Sequence, residues 1–213
     1  MEQGQTRAQS YSQTADSQII QATMDALSAR HFIPYRAENR SEALSKIREL
    51  IPAGVSVMNG SSRTLQDIGF IDVLKNHDHP WDNLHDAILA ETDPDKQAQL
   101  RKYSVASDFY LGSVHALTQE GELVIASNTG SQLPHLAFTS PNIILVVGSQ
   151  KIVPTLDDAM RRLQAHVIPL EDERMKEAYG FGTTHAKTLI LHRENPSMGR
   201  KVNVIIVDET LGF

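Results

Sequence analysis

Short apolar runs alternate with amphipathic segments along most of the chain. Three of these runs, VSVM (55–58), NIILVVG (142–148) and VNVIIV (202–207), are apolar at nearly every position. Such strands are typical of a sheet covered by helices on both faces, because neither face then meets water. The pattern therefore predicts an α/β protein with a Rossmann-like, doubly wound and mostly parallel sheet.

Capping residues and helical spacing predict the helices that cover this sheet. Asp16 or Ser17 can cap a first helix, and Asn39 followed by Glu42 resembles a capping box for a second. Thr155 can cap a later helix by the same chemistry. The apolar residues that mark these helices are Ile20, Met24, Leu27, Ala43, Ile47, Leu50, Leu156, Met160 and Leu163.

The segments between these elements are more varied. Residues 63–75 place apolar side chains at helical spacing and predict one further helix, whereas residues 77–96 are polar and predict a loop with a short helix. HALTQEGELVIA (115–126) predicts an antiparallel hairpin, and KTLILHR predicts another strand. Because no repeat or boundary interrupts the pattern, we predict a flexible tail over 1–15 and a single α/β domain over 16–213.

Composition excludes several classes of function. The net charge is −6 and no basic block occurs, so the sequence does not favour nucleic-acid binding. The absence of cysteine excludes disulfides, thiolate-ligated zinc and a thiolate-held iron–sulfur cluster in this chain. The N-terminus lacks the apolar core of a signal peptide, and no run is long enough to span a membrane, so we expect a cytoplasmic protein without a membrane span.

A glycine-containing loop, NGSS, joins a buried strand to a predicted helix. Asn59, Gly60, Ser61, Ser62 and Arg63 form this loop and the first helical residue. Gly60 lets the backbone turn with a positive φ, the serines and loop N–H groups can bind phosphate or carboxylate, and Arg63 can add charge-assisted bonds. The alternative is an ordinary capped turn between strand and helix.

A second loop, SNTGSQ, contains no hydrophobic residue. It lacks the Walker lysine and the three-glycine spacing of dinucleotide sites, so no nucleotide cofactor is indicated and no other cofactor is evident. A polar hairpin end or a helix entry is the alternative to a ligand site. The candidate ligand-binding residues of this loop are Asn128, Thr129, Gly130, Ser131 and Gln132.

Other polar residues allow both a functional and a structural interpretation. Lys151 follows a buried strand and could reach an anionic ligand, or it could be a surface lysine. His115 could act as a base or a hydrogen-bond donor, or it could simply be packed. His77, His79 and His85 suit a divalent metal by type, but their spacing matches no established ligand motif, so we predict no metal site.

Five segments together resemble the lactate-utilisation (LUD) domain family. They are NGSSRTLQDIGFIDVLK, DFYLGSVHALTQEGELV, ASNTGSQLPHLAF, PNIILVVGSQKIVPTLDDAMRRL and VNVIIVDETLGF, in the expected order. The resemblance implies a fold similar to ribose-5-phosphate isomerase, glucosamine-6-phosphate deaminase and CoA-transferases. In CoA-transferases a glutamate attacks the thioester, which makes Glu120 a candidate nucleophile, although a solvated turn carboxylate is the simpler interpretation.

The resemblance also implies a role beside iron–sulfur proteins in the oxidation of L-lactate to pyruvate. Some family members have cysteine-rich segments near the C-terminus, and this chain has none, so electron transfer would need a partner. Our first hypothesis is a LUD-type protein that binds a small anion and supports oxidation of L-lactate or a related 2-hydroxy acid. The alternatives are a stand-alone isomerase, deaminase or CoA-transfer-type enzyme, and a non-catalytic binding module.

The first hypothesis makes one structural demand. NGSS and SNTGSQ should lie side by side at the carboxyl edge of one parallel sheet, where ligands of such folds bind. The terminal LGF is apolar and could pack on the sheet or on a partner, so association into a homo-oligomer is left open.

Overall fold

A computed structural model describes residues 11–213, and its strands form two sheets. The predicted tail over 1–15 therefore lies mostly outside the described residues. The strands are β1 (Ile33–Ala37), β2 (Ser56–Asn59), β3 (Asp82–Asn83), β4 (Phe109–Gly112), β5 (Ala116–Thr118), β6 (Leu123–Ser127), β7 (Asn142–Gly148), β8 (Ile152–Val153), β9 (Lys187–Leu191) and β10 (Lys201–Val207).

The larger sheet has six parallel strands in the order β1-β10-β7-β4-β2-β3. The smaller sheet has the order β8-β5-β6-β9, and its β5–β6 and β6–β9 pairs are antiparallel. The predicted α/β class, the mostly parallel sheet and the antiparallel hairpin are thereby confirmed. A separate second sheet was not predicted, because a strand pattern does not reveal which sheet a strand joins.

Eight α-helices lie around these sheets in the described part of the chain, and four of them start where the sequence predicts a helix. The Asp16 carboxylate accepts from the Gln18 and Ile19 amides, and Asn39 and Thr155 cap their helices in the same way. The helices are α1 (Ser17–Ala29), α2 (Arg40–Leu50), α3 (Arg63–Asp67), α4 (Phe70–Lys75), α5 (Leu84–Ala90), α6 (Pro94–Tyr103), α7 (Leu156–Arg162) and α8 (Ile168–Tyr179).

Two hydrophobic cores cover opposite faces of the parallel sheet. In β7, Ile144 and Val146 point into a core built with α2, α3 and α4, whereas Ile143, Leu145 and Val147 point into a core built with α1 and the smaller sheet. Successive side chains of a strand alternate between faces, so a strand buried on both faces must be apolar throughout. This is the physical basis of the runs seen in the sequence.

Two helical predictions differ from the structure. The single helix expected over 63–75 is two short helices, because Gly69 adopts a left-handed conformation (φ 79°) and its amide bonds to the Gln66 carbonyl. Helix α8 was not predicted, and it continues from α7 through a π-helical segment, Leu163–Val167. Helix α8 contains no buried residue, so it lacks the apolar face by which a helix is recognised.

The β5–β6 turn packs directly against the backbone of α1. A side chain at Gly121 would place its Cβ 2.9 Å from backbone atoms of both Ala26 and Leu27, and Gly121 also has a positive φ of 88°. Gly54 has a similar φ of 78° but open space around it. Both glycines therefore have a backbone conformation that favours glycine, but only Gly121 is also packed against other backbone atoms.

We predict that Gly121→Ala destabilises the protein more than Gly54→Ala. Both changes meet the cost of a positive φ, roughly 1 kcal/mol, and only the first adds a steric overlap, worth about 1–3 kcal/mol. Urea unfolding of both variants measures the difference. Equal losses in the free energy of unfolding would show that the turn and α1 have room for an added methyl group.

Candidate functional site

A cleft lies at the carboxyl edge of the parallel sheet. Its inner part is a cavity of about 70 Å³ between the segments that follow β2, β4 and β7. This cavity adjoins an outer groove of about 470 Å³ that reaches α8 and the loop after β6. The residues that line both parts are Gly60, Ser61, His115, Gln132, Glu171 and Arg174.

The NGSS loop forms one wall of the inner cavity. Ser61, Ser62 and Arg63 line it, and the Ser62 hydroxyl also caps α3 by accepting from the Leu65 amide at 3.2 Å. The Asn59 side chain is buried away from the cavity, with its Oδ1 3.3 Å from His85 Nδ1. Asn59 therefore supports the loop and does not line the cavity.

The SNTGSQ loop forms the wall of the outer groove. Asn128, Thr129, Ser131 and Gln132 line the groove, and Gln132 reaches the inner cavity as well. Gly130 instead packs against Lys187, with a positive φ of 88° that closes the turn.

The two loops meet at Gly60. The positive φ expected at Gly60 is not found, and glycine is favoured here by close packing instead. A Cβ there would overlap the Tyr110 hydroxyl and would lie 3.3 Å from Gln132 Oε1. The structure therefore brings the two loops together, but not from one sheet edge as we expected. NGSS follows β2 of the parallel sheet, whereas SNTGSQ follows β6 of the smaller, mixed sheet.

Lys151 lies at the base of the inner cavity and is 3% exposed. Its Nζ contacts Thr64 Oγ1 at 2.8 Å, Ser113 Oγ at 3.2 Å and the Val114 carbonyl oxygen at 3.2 Å. No carboxylate within residues 11–213 forms an ion pair with it. Lys151 is a buried cation with hydroxyl and carbonyl neighbours only, and not a surface lysine.

Burial dominates the ionisation of Lys151. Burial and, to a smaller extent, the positive charge of Arg162 lower the pKa of the ammonium from its usual value to about 7, while Asp67 acts in the opposite direction. Charged and neutral forms of the amine are therefore both populated near neutral pH. A buried amine with such a pKa beside a cavity is typical of functional sites.

His115 stands beside Lys151 and lines both parts of the cleft. Its Nδ1 accepts from the Ala126 amide at 3.0 Å, so the proton of the neutral ring resides on Nε2. Burial, followed by the charges of Lys151, Arg162 and His185, lowers the pKa of this imidazole to about 3. His115 is thus a neutral donor near pH 7.

Arg162 adds a second buried cation behind this histidine. Its side chain is 0% exposed, and its Nη1 donates to the His115 carbonyl. Its Nε and Nη2 have no hydrogen-bond partner within residues 11–213, and burial lowers the pKa of the guanidinium to about 10. The inner end of the cleft is therefore positively charged.

Comparison with known proteins identifies the family. The sequence profile of the LUD domain matches residues 20–207. The chain belongs to the LUD-domain family. Membership confirms the resemblance noted in the sequence and indicates a role related to lactate utilisation.

A solved structure supports the fold of this LUD domain. The crystal structure of a DUF162 family protein from Deinococcus radiodurans has a TM-score of 0.54 at 13% identity, covering 91% of this chain and 98% of that chain. At this identity the likeness concerns the fold alone. No curated protein matches the sequence.

The sequence analysis did not single out four residues that line the cleft of the LUD domain. Glu171 and Arg174 on α8 line both parts of the cleft and form a bidentate ion pair at 2.6 and 2.7 Å. Their spacing of three residues suits such a pair on a helix, but α8 itself was not predicted. Ser113 and Thr64, the hydroxyl neighbours of Lys151, were also not singled out, because single hydroxyls give no sequence signal.

The remaining candidates lie away from the cleft. The Glu120 carboxylate is 73% exposed in the β5–β6 turn, 4.0 Å from Arg30. His77 lies 3.6 Å from Asp86, and His79 stacks on Trp81. Within residues 11–213 no three acidic or histidine side chains are grouped to hold a metal ion. None of the helices in that range has the length and apolarity needed to cross a bilayer.

We predict that Lys151→Met stabilises the folded protein most at low pH. The lowered folded-state pKa means that unfolding takes up a proton between pH about 7 and the ordinary lysine range, so the wild type gains stability as the pH rises through that window. Met avoids burying a charge, so the gain in melting temperature over wild type should be larger at pH about 6 than at pH about 9.

Differential scanning calorimetry of Lys151→Met, with Lys75→Met on the exposed side of α4 as the matched control, tests this effect. The control should show a pH-independent difference from wild type. A constant difference for Lys151→Met as well would indicate that the buried amine does not titrate in this range.

Proposed function

We propose that this LUD-domain protein binds a small anion in the cleft and supports oxidation of L-lactate or a related 2-hydroxy acid in the cytoplasm, with an iron–sulfur partner. The observation that favours this function most is the burial of Lys151 beside the cavity. Lys151 is a buried cation, and no carboxylate of residues 11–213 pairs with it. A buried charge without a counter-ion costs several kcal/mol, and a bound anion would offset that cost.

The surroundings of Lys151 suit a carboxylate better than a neutral ligand. Arg63 and Arg174 line the same cavity, and Ser61 and Ser62 provide hydroxyl donors. The Nε2–H of His115 is available on the same wall, because its Nδ1 is engaged with the backbone. A cavity of about 70 Å³ suits a ligand of only a few heavy atoms, which is the size of lactate or phosphate.

A partner completes the proposal because oxidation needs an electron acceptor. The sequence has no cysteine for a thiolate-held cluster and no three-glycine dinucleotide fingerprint. The role of this chain would therefore be to bind and orient the 2-hydroxy acid, and the redox centre would reside in an iron–sulfur subunit.

A stand-alone enzyme of the isomerase, deaminase or CoA-transfer type is the second candidate. It is favoured by the pKa of Lys151, which lies near 7 and would allow this amine to move protons during a reaction. Such an enzyme would turn over a phosphorylated or CoA-linked substrate without any partner.

We predict that L-lactate or pyruvate binds to the wild type and that Lys151→Met weakens the affinity at least ~10-fold, since a charge-assisted bond is lost. Affinity should also fall between pH about 6 and about 8, because the Lys151 ammonium loses its proton with a pKa of about 7. Isothermal titration calorimetry measures both effects, with phosphate as a second anion and Lys75→Met as the control. An unchanged affinity in Lys151→Met would remove the main support for the site.

We also predict that the native protein associates with an iron–sulfur protein. Affinity capture of the tagged full chain from its source cells, under anaerobic conditions, should recover a cysteine-rich redox protein. The captured assembly should reduce an artificial dye when L-lactate is added. Recovery of the chain alone, with turnover of sugar phosphates or CoA thioesters by the pure protein, would favour the second candidate instead.

A further inference from the structure

The contacts of Lys151 match a neutral amine as well as an ammonium. The Val114 carbonyl oxygen can only accept, and the Thr64 hydroxyl is 3.4 Å from the Leu211 carbonyl, to which it donates. Thr64 Oγ1 is therefore an acceptor for Lys151 too. These two contacts use both N–H bonds of a neutral amine, and its lone pair is left for the third neighbour, Ser113 Oγ, at 3.2 Å.

Ser113 is more exposed to the cavity than Lys151 is. It follows Gly112 at the carboxyl end of β4 and is half-buried, whereas Lys151 is 3% exposed. Its hydroxyl lies 3.2 Å from the Val114 carbonyl oxygen, to which it can donate while Lys151 is charged. When the amine is neutral, the same proton can turn toward Nζ. A hydroxyl hydrogen-bonded to a neutral amine is the arrangement of an activated nucleophile.

We propose that Ser113 and Lys151 form a nucleophile–base pair, and that the cleft transfers the acyl group of a negatively charged ester or thioester to water. This activity needs neither a 2-hydroxy acid nor a redox partner, so it goes beyond the function proposed above.

The proposed reaction uses only the acyl compound, water and the two side chains. Ser113 Oγ forms a bond to the acyl carbonyl carbon while its proton moves to Lys151 Nζ. The bond from that carbon to the leaving oxygen or sulfur then breaks, and the leaving group takes the proton from Nζ. Water attacks the acyl-serine, Lys151 accepts the proton of the water and returns it to Ser113 Oγ, and the carboxylic acid departs.

The cleft also indicates the class of acyl compound. The inner cavity, at about 70 Å³, suits a short acyl group, and the outer groove of about 470 Å³ suits a larger leaving group. Arg63 and Arg174 line the same cavity as Ser113. Asp67 and Glu171 pair with them, and their remaining N–H groups can donate to an anionic substrate and to the oxyanion that develops on the carbonyl.

The ionisable groups around Lys151 keep its amine available as a base. Arg162 lowers the pKa of this amine and Asp67 raises it, after the larger effect of burial. His115 and His166 also lie near Lys151, and burial lowers the pKa of both imidazoles, so both are neutral near pH 7. Tyr110, Arg63, Glu171 and Arg174 line the same cavity, and burial raises the pKa of the Tyr110 hydroxyl. Of Lys151 and these two histidines, only Lys151 changes charge near neutrality.

The first test uses p-nitrophenyl acetate as the probe on the full chain. We expect a burst of one nitrophenolate per chain, an acetyl group on Ser113 in peptide mass spectrometry, and an acylation rate that rises through pH about 7. Ser113→Ala should abolish the burst, and Lys151→Met should slow acylation ~100-fold or more, as expected for loss of a general base. Ser45→Ala and Lys75→Met, both on exposed helix positions, should acylate like wild type.

An acetyl group on any other residue, Lys151 included, would overturn the assignment of the nucleophile. Undiminished acylation in Lys151→Met would overturn the assignment of the base. The pH profile separates this activity from anion binding, because acylation should strengthen and anion affinity should weaken as the Lys151 ammonium loses its proton.

A second test remains decisive even where Lys151→Met does not fold. Because the chain has no cysteine, Ser113→Cys introduces a single thiol, and Ser45→Cys gives an exposed counterpart. The rate of alkylation by iodoacetamide against pH should give the thiol at position 113 a pKa at least ~1 unit below the usual value of about 8.5, because the adjacent ammonium stabilises the thiolate. An equal or higher pKa than that of Ser45→Cys would refute the pairing.

Discussion

The cleft depends on the burial of the Lys151 amine between segments that leave different strands. Its three oxygen neighbours come from the start of α3 and from the residues after β4, and Lys151 itself follows β7. The Leu211 carbonyl, after β10, accepts from Thr64 and from Gln150. One small polar cluster thus ties together the carboxyl ends of four strands of the parallel sheet. A buried amine without hydrogen-bond partners would destabilise the fold, and these three oxygen contacts avoid that cost.

The same cluster gives the cleft its electrostatic character. Lys151 and Arg162 are both buried without a carboxylate partner within residues 11–213, whereas Arg63 and Arg174 are paired with Asp67 and Glu171. Burial and, to a smaller extent, repulsion from Arg162 lower the pKa of Lys151 into the neutral range. A protein that needed only stability could replace such a lysine with an apolar residue of similar size. The anion binding and the proton transfer that we propose both rely on this amine, in different charge states.

The smaller sheet explains how a parallel α/β layer acquires an enclosed site. Its β5–β6 hairpin leaves the parallel sheet just after β4, and β6 leads into the SNTGSQ loop opposite NGSS. Gly121 fits the hairpin turn against α1, and Gly60 lets the two loops approach beneath Tyr110. Helix α8 then adds Glu171 and Arg174 to the open side. The site is therefore built where two sheets and one helix meet.

Local sequence determined the strands β2, β5, β6, β7, β9 and β10, four helix starts, the NGSS and SNTGSQ loops and the family. Apolar runs such as NIILVVG report burial on both faces, and a capping residue such as Asn39 acts on amides only two or three positions away. Tertiary structure alone decided that β6 joins a second sheet, that α8 faces the cleft, and that Ser113 and Thr64 surround Lys151. Those contacts join residues 38 and 87 positions apart. No local periodicity encodes them, because they arise only when separate strands end at one edge.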